Sequence, residues 1–391
     1  MSKSRVNSIV FVSNYFNHHQ KPFSEAMYGL IGDEFKFIET SQISLERKKL
    51  GWGEDIYPDY VIPNAIFQHS KSNYIRLIDD ADIVILGSAP YALIENRLKN
   101  NKPVFIYSER LYKGKYQYYK MPVRAVRFFK KFTRYKNVRL LCASAYAASD
   151  YAKTLTFLNR AYKWGYFTSI NTYPDIHTLI DKKHTASLLW VARFIPVKHP
   201  EAPIEVAKRL KENGYEFELN LIGNGELQDK IDAMIKEYNL TGCVKMLGAM
   251  KPDEVREHME KNEIFLFTSD RGEGWGAVLN ESMNSACAVV ASHAIGSVPF
   301  MVEDGKNGLI YKDGDIDDLY KKVVWLLEHP EERKTISANA YDTMISEWNA
   351  ENAAKKFIHL SERVLAEEKT PFPFESGVCS KPKLLKDNWY K

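Results

Sequence analysis

Short apolar runs alternate with amphipathic stretches of helical length along most of the chain. The apolar runs are rich in β-branched residues, as expected of parallel strands that are buried on both faces. The predicted strands cover residues 8–13, 35–39, 82–87, 103–107 and 138–142, and then 187–192, 216–222, 243–247, 263–268, 288–292 and 308–311. Parallel strands need crossover helices between them, so the pattern predicts two doubly wound α/β domains.

A polar stretch that contains Pro174, residues 171–183, separates the two series of strands and is predicted to be a linker. This places a first domain at residues 1–180 and a second at residues 184–348. Helices are predicted beyond the last strand, over residues 315–328, 330–346 and 349–368. We therefore expect a third segment, residues 349–391, made of a helix and a tail.

Composition limits the kind of protein this can be. The chain has 391 residues, 45% of them hydrophobic, which is enough for two buried cores. No run approaches the ~20 apolar residues of a membrane-spanning helix, and the first apolar run is interpreted as a strand rather than a signal peptide. The cysteines show no zinc-type spacing; they are Cys142, Cys243, Cys287 and Cys379. A cytoplasmic, two-domain enzyme without a metal is expected.

Charge is distributed unevenly along the chain. Residues 110–139 hold eleven Lys or Arg and no Asp or Glu, whereas the rest of the chain has 43 basic against 50 acidic residues. Eight aromatic residues lie among these cations, a combination that suits binding at an anionic membrane surface. In this interpretation Val123, Val126 and the stretch 129–132 share one helical face. The predicted membrane patch consists of Arg124, Arg127, Lys130 and Lys131.

Two alternatives remain for this basic segment. Its aromatic rings could pack into the core beneath a solvated basic face, which is the ordinary structural arrangement. Cations and stacking aromatics also suit single-stranded nucleic acid, but we expect no nucleic-acid partner, because the surrounding domain has the features of an acceptor-binding half.

Candidate chemistry first appears after the strand at residues 187–192, where Arg193 and Lys198 lie five positions apart in one loop. Loops that follow strands are where α/β domains bind ligands. A guanidinium fork and an ammonium could clasp the two phosphates of a nucleotide diphosphate. The alternative is a pair of solvated surface charges.

The most informative segment is residues 268–281, which leaves a strand, passes through three glycines and opens a helix predicted to run to Cys287. Glycines let the backbone approach a ligand, and the first amides of a helix favour anionic oxygens. Glu273 and Glu281 could address opposite ends of one ligand. The alternative is a helix start whose acidic residues complement its dipole.

Two further turns follow strands of the same domain. Gly223-Asn224-Gly225 could approach a phosphate, although without a third glycine it is weak evidence for dinucleotide binding. The turn at residues 294–299 adds another loop at the same edge of the sheet. Several ligand-suited loops at one edge predict a binding site.

As a set, these motifs resemble those of the family 4 glycosyltransferases over roughly residues 187–344. That family has the GT-B fold, with two Rossmann-like domains that face each other across a cleft and a C-terminal helix that crosses back to the first domain. The resemblance implies that residues 349–391, the helix and its tail, return to the first domain. Arg193 and Lys198 match its diphosphate-binding cations, and Glu273 and Glu281 match its Glu-(seven residues)-Glu signature.

The resemblance implies that Glu273 contacts the donor sugar, Glu281 the ribose, and residues 244–248 the nucleobase. The predicted donor-binding residues are Arg193, Lys198, Gly223, Asn224, Gly248, Glu273, Gly274, Trp275, Gly276, Ala277 and Glu281, and the catalytic ones among them are Glu273, Arg193 and Lys198. Trp275 is expected to shape the sugar pocket.

The first half of the chain departs from the family pattern, because the expected Gly-Gly turn and sugar-contacting His are not found where that family has them. His18, His19, Glu109 and Arg110 follow predicted strands and are the candidate acceptor-side residues. Structural roles are the alternative for the histidines, and a mutual ion pair is the alternative for Glu109 and Arg110.

The resemblance implies a retaining glycosyltransferase that moves a hexose-type sugar from a nucleotide-sugar, UDP-linked in preference to GDP-linked, to a saccharide acceptor. A lipid-linked acceptor at the inner membrane face and a role in cell-surface polysaccharide or glycolipid synthesis are expected. Cations aimed at the leaving phosphate would do the work of a metal, so no metal or cofactor is expected. The rival interpretations are a nucleotide-sugar epimerase or glycan phosphorylase of the same architecture, and a non-catalytic binding module.

Overall fold

The structure is a computed structural model that describes residues 6–44, 57–114, 118–368 and 372–390. It divides into two compact units. Unit 1 comprises Met1–Thr168 and Glu347–Lys386, and unit 2 comprises Ser169–Ser346 and Asp387–Lys391. The chain therefore passes from one unit to the other three times.

Unit 1 is built on a seven-stranded parallel sheet in the order β3-β2-β1-β4-β5-β6-β7. Its strands are β1 Ile9–Ser13, β2 Phe35–Glu39, β3 Val61–Ile62, β4 Ile83–Leu86, β5 Val104–Ser108, β6 Val138–Cys142 and β7 Ala161–Lys163. Every residue of β1 is buried, because its uninterrupted apolar run covers both faces of the strand. The predicted strands of this half are confirmed; β3 and β7 were missed because two or three residues carry no readable period.

Helices cover the sheet of unit 1. They are α1 Lys21–Ile31, α2 Asn64–His69, α3 Lys71–Asp80, α4 Glu95–Lys99, α5 Met121–Phe128 and α6 Ala147–Ala152, with 3-10 turns at Gly32–Glu34, Tyr91–Ile94 and Tyr118–Lys120 and a π-helical turn at Phe129–Thr133. Residues 115–117 of the basic segment lie outside the described residues.

Unit 2 has a six-stranded parallel sheet in the order β10-β9-β8-β11-β12-β13. Its strands are β8 His184–Val191, β9 Glu218–Ile222, β10 Val244–Gly248, β11 Asn262–Phe267, β12 Ala288–Ser292 and β13 Leu309–Tyr311. Its helices are α7 Ile176–Asp181, α8 Glu201–Glu212, α9 Gln228–Glu237, α10 Pro252–Lys261, α11 Val278–Asn284, α12 Val298–Met301, α13 Ile316–Glu328 and α14 Pro330–Ser346. A 3-10 turn lies at Pro196–Lys198. All six predicted strands are confirmed. Trp190, Leu221 and Leu266 pack in its core.

The predicted linker and the predicted domain boundary at residue 180 are wrong. Unit 2 already begins at Ser169. The Asn171 amide donates to Asn284 (2.8 Å), the Tyr173 hydroxyl donates to Glu260 (2.5 Å), and Asp175 caps helix α7. Polar residues that appear as a linker in sequence are therefore the hydrogen-bonding and capping groups of unit 2.

The C-terminal helix, α15 Ala350–Leu365, belongs to unit 1, as the fold prediction requires. Its Phe357 ring packs against Phe105 and Phe23, with ring centroids 5.0 and 6.2 Å apart. The last residues of the chain are not in the same unit as this helix, because Asp387–Lys391 belongs to unit 2. The expectation that all of residues 349–391 return to the first domain is wrong for those last residues, which hydrogen-bond to unit 2.

Among the described residues, no helix is both long enough and apolar enough to cross a membrane.

Candidate active site

The loops predicted to bind the donor all lie at the carboxyl edge of the unit 2 sheet. Strands β8 and β11 are neighbours, yet the helices that follow them lead to opposite sides of the strand order. Such a switch point leaves a crevice outside the strand ends, and ligands of open α/β sheets bind there. The loop with Arg193 and Lys198 follows β8, and the segment 268–277, which we call the signature loop, follows β11.

Lys198 and Glu273 meet in this crevice. The Lys198 Nζ atom donates a hydrogen bond to Glu273 Oε2, and the Ser269 hydroxyl donates to the same oxygen over 3.2 Å. Both charged side chains are mostly buried, with 17% and 15% of their surface exposed. The structure thus brings together two of the three residues predicted to be catalytic, which lie 75 positions apart in sequence.

Further hydrogen bonds, from side chains and from the backbone, join the two loops. The Thr268 hydroxyl donates to the Lys198 carbonyl (2.7 Å) and accepts from the Trp190 indole (2.8 Å). The Asp270 amide donates to the Val197 carbonyl over 3.1 Å. Because a buried strand residue anchors the loops, the Lys198–Glu273 pair is supported by the core rather than by two mobile loop tips.

His199, directly after Lys198, adds an ionic link. Its Nδ1 lies 3.1 Å from Glu201 Oε1 and its Nε2 lies 3.2 Å from Asp270 Oδ2. The hydrogen bond to Glu201, together with that to Asp270, raises the pKa of His199 to about 9 against the opposing effect of burial. The imidazolium is therefore charged at neutral pH and holds the signature loop to the β8 loop.

Gly223 and Gly225 lie close against the β8 loop. Their φ angles are 132° and 153°, and a side chain at either position would collide with the carbonyl oxygen of Ala192 or Phe194. The Phe194 amide donates to Asn224 O over 2.7 Å. These glycines are thus required by tight packing of one loop on another, which leaves the exposed Arg193 side chain beside this turn.

Gly248 ends β10 next to the same turn, since its carbonyl accepts a hydrogen bond from the Gly223 amide over 2.8 Å. In the signature loop, Gly276 has φ 86°, and a side chain there would strike the Phe267 ring. Gly274 is buried and Ala277 caps the following helix. All the predicted glycines therefore lie at the carboxyl edge of the same sheet.

Two details of the signature segment correct the sequence interpretation. Helix α11 is Val278–Asn284 and stops before Cys287, because Ala286 adopts a left-handed φ of 50° that turns the chain into β12. Trp275 is fully buried, with its indole donating to Asn280 over 2.9 Å. Its ring therefore supports the loop from behind and does not shape a pocket surface.

Glu281 lies on α11 with its side chain half-buried. Burial raises the pKa of this carboxyl, and the nearby Arg256 guanidinium partly opposes the rise. Arg256 donates to the Glu281 carbonyl oxygen (2.6 Å) rather than to the carboxylate. Within the described part of the chain, no hydrogen bond reaches the Glu281 carboxylate, so its acceptor oxygens are available to a ligand.

The acceptor-side candidates divide in unit 1. His19 stacks on Tyr166, with ring centroids 5.5 Å apart, and it also contacts the ring of His18 at 3.9 Å. Burial, with the neighbouring His18, lowers the pKa of His19 to about 3, so the ring is neutral. The Tyr166 hydroxyl donates to Glu109 over 2.6 Å, which joins three of the four candidates in one cluster.

Arg110 lies apart from this cluster. Its buried guanidinium lies over the Tyr146 ring and 3.7 Å from Asp150 Oδ2. Glu109 instead pairs with Lys113. The proposed mutual ion pair of Glu109 and Arg110 is therefore wrong, because consecutive side chains that leave a strand point in opposite directions.

The described residues of the basic segment contain both of the arrangements that the sequence leaves open. Phe128 and Phe132 are buried against Tyr151, whereas Val123, Val126 and Phe129 are exposed by 72%, 57% and 56%. The prediction that Phe132 belongs to the exposed face is therefore wrong, because its ring packs into the core. Among the predicted patch cations, Arg127 and Lys130 are exposed, while Arg124 and Lys131 are half-buried and lie over tyrosine rings.

Sequence reasoning missed three groups that build these sites. His199 and Asp270 lie inside the predicted motifs without a predicted role, and Tyr166 follows a three-residue strand that shows no readable period. The signal for His199 was its position beside Lys198. Nothing local in the sequence indicates that Asp270 lies opposite it.

Two parallel sheets of seven and six strands, with helices between successive strands, match the GT-B class of glycosyltransferase folds. The structure of Anabaena HepE in complex with UDP is similar, with a TM-score of 0.66 at 16% identity, over 90% of this chain and 98% of that one. Residues 176–343 match the family model described as Glycosyl transferases group 1.

Curated relatives agree with that assignment. An uncharacterized glycosyltransferase of Methanocaldococcus jannaschii is 30% identical over 54% of this chain and 56% of its own length. The poly(ribitol-phosphate) alpha-N-acetylglucosaminyltransferase of Staphylococcus aureus is 26% identical over 54% of this chain and 42% of its own length. The chain thus spans about half the length of the curated relatives it matches.

Proposed function

We propose that the protein is a retaining, metal-independent glycosyltransferase that takes a hexose-type sugar from a nucleotide-sugar bound at the carboxyl edge of unit 2. The observation that carries this proposal is the Lys198–Glu273 contact at the switch point between β8 and β11. It puts a phosphate-binding cation and a sugar-binding carboxylate within reach of one small ligand.

The chemistry follows from charge development. When the bond between sugar and diphosphate breaks, negative charge accumulates on the leaving phosphate. The Lys198 ammonium has three donors, so it holds Glu273 and a phosphate oxygen at the same time, while the exposed Arg193 offers a fork to the second phosphate. Preorganised cations of this kind stabilise a transition state without reorganising during the reaction.

The other end of the donor is assigned to Glu281. Its half-buried carboxylate accepts no hydrogen bond within the described part of the chain, which suits the two hydroxyl groups of a ribose. Gly223 and Gly248 lie together at the neighbouring strand ends and give a backbone-lined place for the base. UDP is the favoured nucleotide, since HepE, a protein of similar fold, binds UDP in its solved structure.

The acceptor is proposed to be a saccharide, and a lipid-linked one, in polysaccharide or glycolipid synthesis. The Staphylococcus aureus relative is named for transfer to a polymer, which favours a polymeric or growing-chain acceptor here. Exposed Val123, Val126 and Phe129 beside Arg127 and Lys130 give unit 1 a surface suited to an anionic membrane. We propose peripheral attachment through that surface.

Thermal stabilisation of the purified protein tests the donor assignment. UDP-, GDP- and ADP-sugars are added with EDTA present, and donor hydrolysis is followed in parallel. One nucleotide class should raise the melting temperature of the wild type and of the Lys236→Ala control, and should fail to do so for Arg193→Ala and Lys198→Ala. Stabilisation of all four proteins, or of none, would contradict the assignment.

A further inference from the structure

The last described residues, 387–390, form a segment that we call the tail, and it lies against the carboxyl edge of the unit 2 sheet. The Asp387 carboxylate lies 3.2 Å from an Nη atom of Arg271, in the signature loop. The Asp387 carbonyl lies 3.0 Å from Nε2 of His293, the residue that follows β12. The tail therefore contacts two of the loops that end at the proposed donor site.

His293 is a fixed receptor for the tail. Its buried ring accepts a hydrogen bond from the Asp313 amide at Nδ1 over 2.9 Å. An accepting Nδ1 requires the tautomer with the proton on Nε2, which then donates to the Asp387 carbonyl. The backbone after β13 thus determines how the ring presents its donor to the tail.

Aromatic residues hold the end of the tail in place. Tyr390 stacks on His293 with ring centroids 5.8 Å apart, and Trp389 meets the same ring at 6.2 Å. The Tyr390 hydroxyl donates to the Ile310 carbonyl, on β13, over 2.6 Å. The hydrogen bond from His293 to the Asp387 carbonyl and the hydrogen bond from Tyr390 to Ile310 both fix the tail on unit 2. The Asp387 carboxylate therefore meets Arg271 from a defined position.

A tight turn connects Arg271 to the proposed catalytic carboxylate. The Glu273 amide donates to Asp270 O over 3.0 Å, and the Gly272 amide donates to Asp270 Oδ1 over 2.6 Å. These bonds close the turn of residues 270–273 around Arg271. Because these hydrogen bonds make the turn rigid, a displacement of Arg271 also moves Glu273.

We propose that the tail positions the signature loop for the donor sugar, with Asp387 acting on Glu273 through Arg271. Asp387 is a positioning residue in this scheme, because it acts through another side chain. The inference rests on the proposed function, since it assigns Glu273 to the sugar. It predicts that the tail matters for the sugar part of the donor and not for the nucleotide part.

Calorimetric titration of UDP-glucose and of UDP separates these two parts; GDP-mannose and GDP replace them if the panel above favours guanine. Asp387→Asn should weaken binding of the nucleotide-sugar about fivefold, as expected for one partly exposed ion pair, and leave nucleotide binding unchanged. Asn388→Ala, at the adjacent exposed position, is the matched control and should change neither affinity.

Charge exchange provides the second test. Arg271→Asp alone should weaken binding of the nucleotide-sugar as Asp387→Asn does, and the double variant Arg271→Asp with Asp387→Arg should recover most of the lost affinity. Equal weakening for nucleotide-sugar and nucleotide, with a lower melting temperature, would show a merely structural tail and overturn the proposal. Unchanged affinity in Asp387→Asn, with a wild type that binds both ligands, would also overturn it. A wild type that binds neither ligand would reject the proposed function itself.

Discussion

His199 Nε2 lies 3.2 Å from Asp270 Oδ2, and this contact joins the two loops that form the proposed donor site. The left-handed backbone of His199, with φ 49°, turns its ring so that Nδ1 also reaches Glu201. The link is ionic only while the imidazole is protonated. The geometry of the donor site is therefore tied to a group that titrates at mildly alkaline pH.

The first prediction concerns stability against pH. The folded-state pKa of His199, about 9, lies above the ordinary value of 6.5. The stabilisation is therefore complete below about pH 6.5 and is lost as pH rises through 9. Since the side chain is 38% exposed, solvent screening reduces the contribution to about 1 kcal/mol. Urea unfolding of the wild type and His199→Asn at pH 6 and pH 10 measures it.

Asparagine tolerates the left-handed backbone and carries no charge, which makes His199→Asn the suitable comparison. The difference in unfolding free energy between the two proteins should be present at pH 6 and should disappear by pH 10. In a Glu201→Gln background the difference should disappear at a lower pH, because that variant removes the largest cause of the raised pKa of His199. A pH-independent difference would contradict the ionic link.

The second prediction concerns Glu281 and donor binding. Glu281→Ala should weaken nucleotide binding by about 1.5 to 3 kcal/mol, the loss expected for charge-assisted hydrogen bonds. A ligand that needs the carboxylate binds less well as pH falls through the raised pKa of Glu281. As pH is lowered, the wild type should therefore begin to lose affinity at a higher pH than it would if Glu281 had the pKa of an ordinary glutamate. Titration calorimetry between pH 8 and pH 5 measures both effects.

Glu281→Gln should show weak and nearly pH-independent binding, and Glu257→Gln, an exposed glutamate on α10, should behave as the wild type does. Wild-type affinity in Glu281→Ala would remove the ribose assignment.

The strands could be predicted because buried parallel strands need unbroken apolar runs, and β1 and β12 have them. Segments with polar residues were less readable. Lys183 was assigned to a linker, yet it is buried and its Nζ donates to the carbonyls of Met259, Asn262 and Ser285 at 2.7 to 3.0 Å. Such a role depends on carbonyl groups up to 102 positions away, which no local pattern reports.

The third prediction follows from that buried lysine. Lys183→Met fills the same volume but leaves three buried carbonyl groups without their donor, so unfolding should become easier by about 3 to 5 kcal/mol. The neighbouring exposed Lys182 offers the matched control, and Lys182→Met should lie within about 0.5 kcal/mol of the wild type. Chemical denaturation measures both. Equal stability of the two variants would show that the carbonyl groups find other partners.

The donor loops could be located from sequence because glycines and charges cluster after strands, and parallel strands end at one edge. The contacts between individual side chains of these loops could not be predicted from the sequence. Lys198 meets Glu273 only because β8 and β11 are neighbours, and Arg110 separates from Glu109 only because Asp150 lies on the other side of its strand end. Trp275 was misassigned since a large aromatic residue in a binding loop has the same signature whether it faces a ligand or the core.

The last prediction concerns the membrane surface of unit 1. Exposed Val123, Val126 and Phe129 follow one another at helical spacing, so their side chains can enter the headgroup region together while neighbouring cations meet anionic lipid. Each cation near such a surface contributes about 1 kcal/mol. Charge reversal of the patch should therefore lower binding to phosphatidylserine vesicles by at least tenfold in sedimentation. The reversed set is Arg124, Arg127, Lys130 and Lys131, each replaced by Glu.

A second variant separates insertion from charge. Val123→Ser, Val126→Ser and Phe129→Ser together keep all the cations, so binding should weaken even at low salt, where electrostatic attraction is strongest. The matched control reverses exposed lysines elsewhere, namely Lys71, Lys99, Lys251 and Lys355. If net charge alone governed binding, this control would lose as much affinity for vesicles as the patch variant, and the serine variant would lose none. If the patch is a dedicated membrane surface, the control should keep its affinity and the serine variant should lose affinity. Because the patch lies on unit 1 and the donor loops on unit 2, nucleotide binding should stay unchanged in the patch variant and in the serine variant.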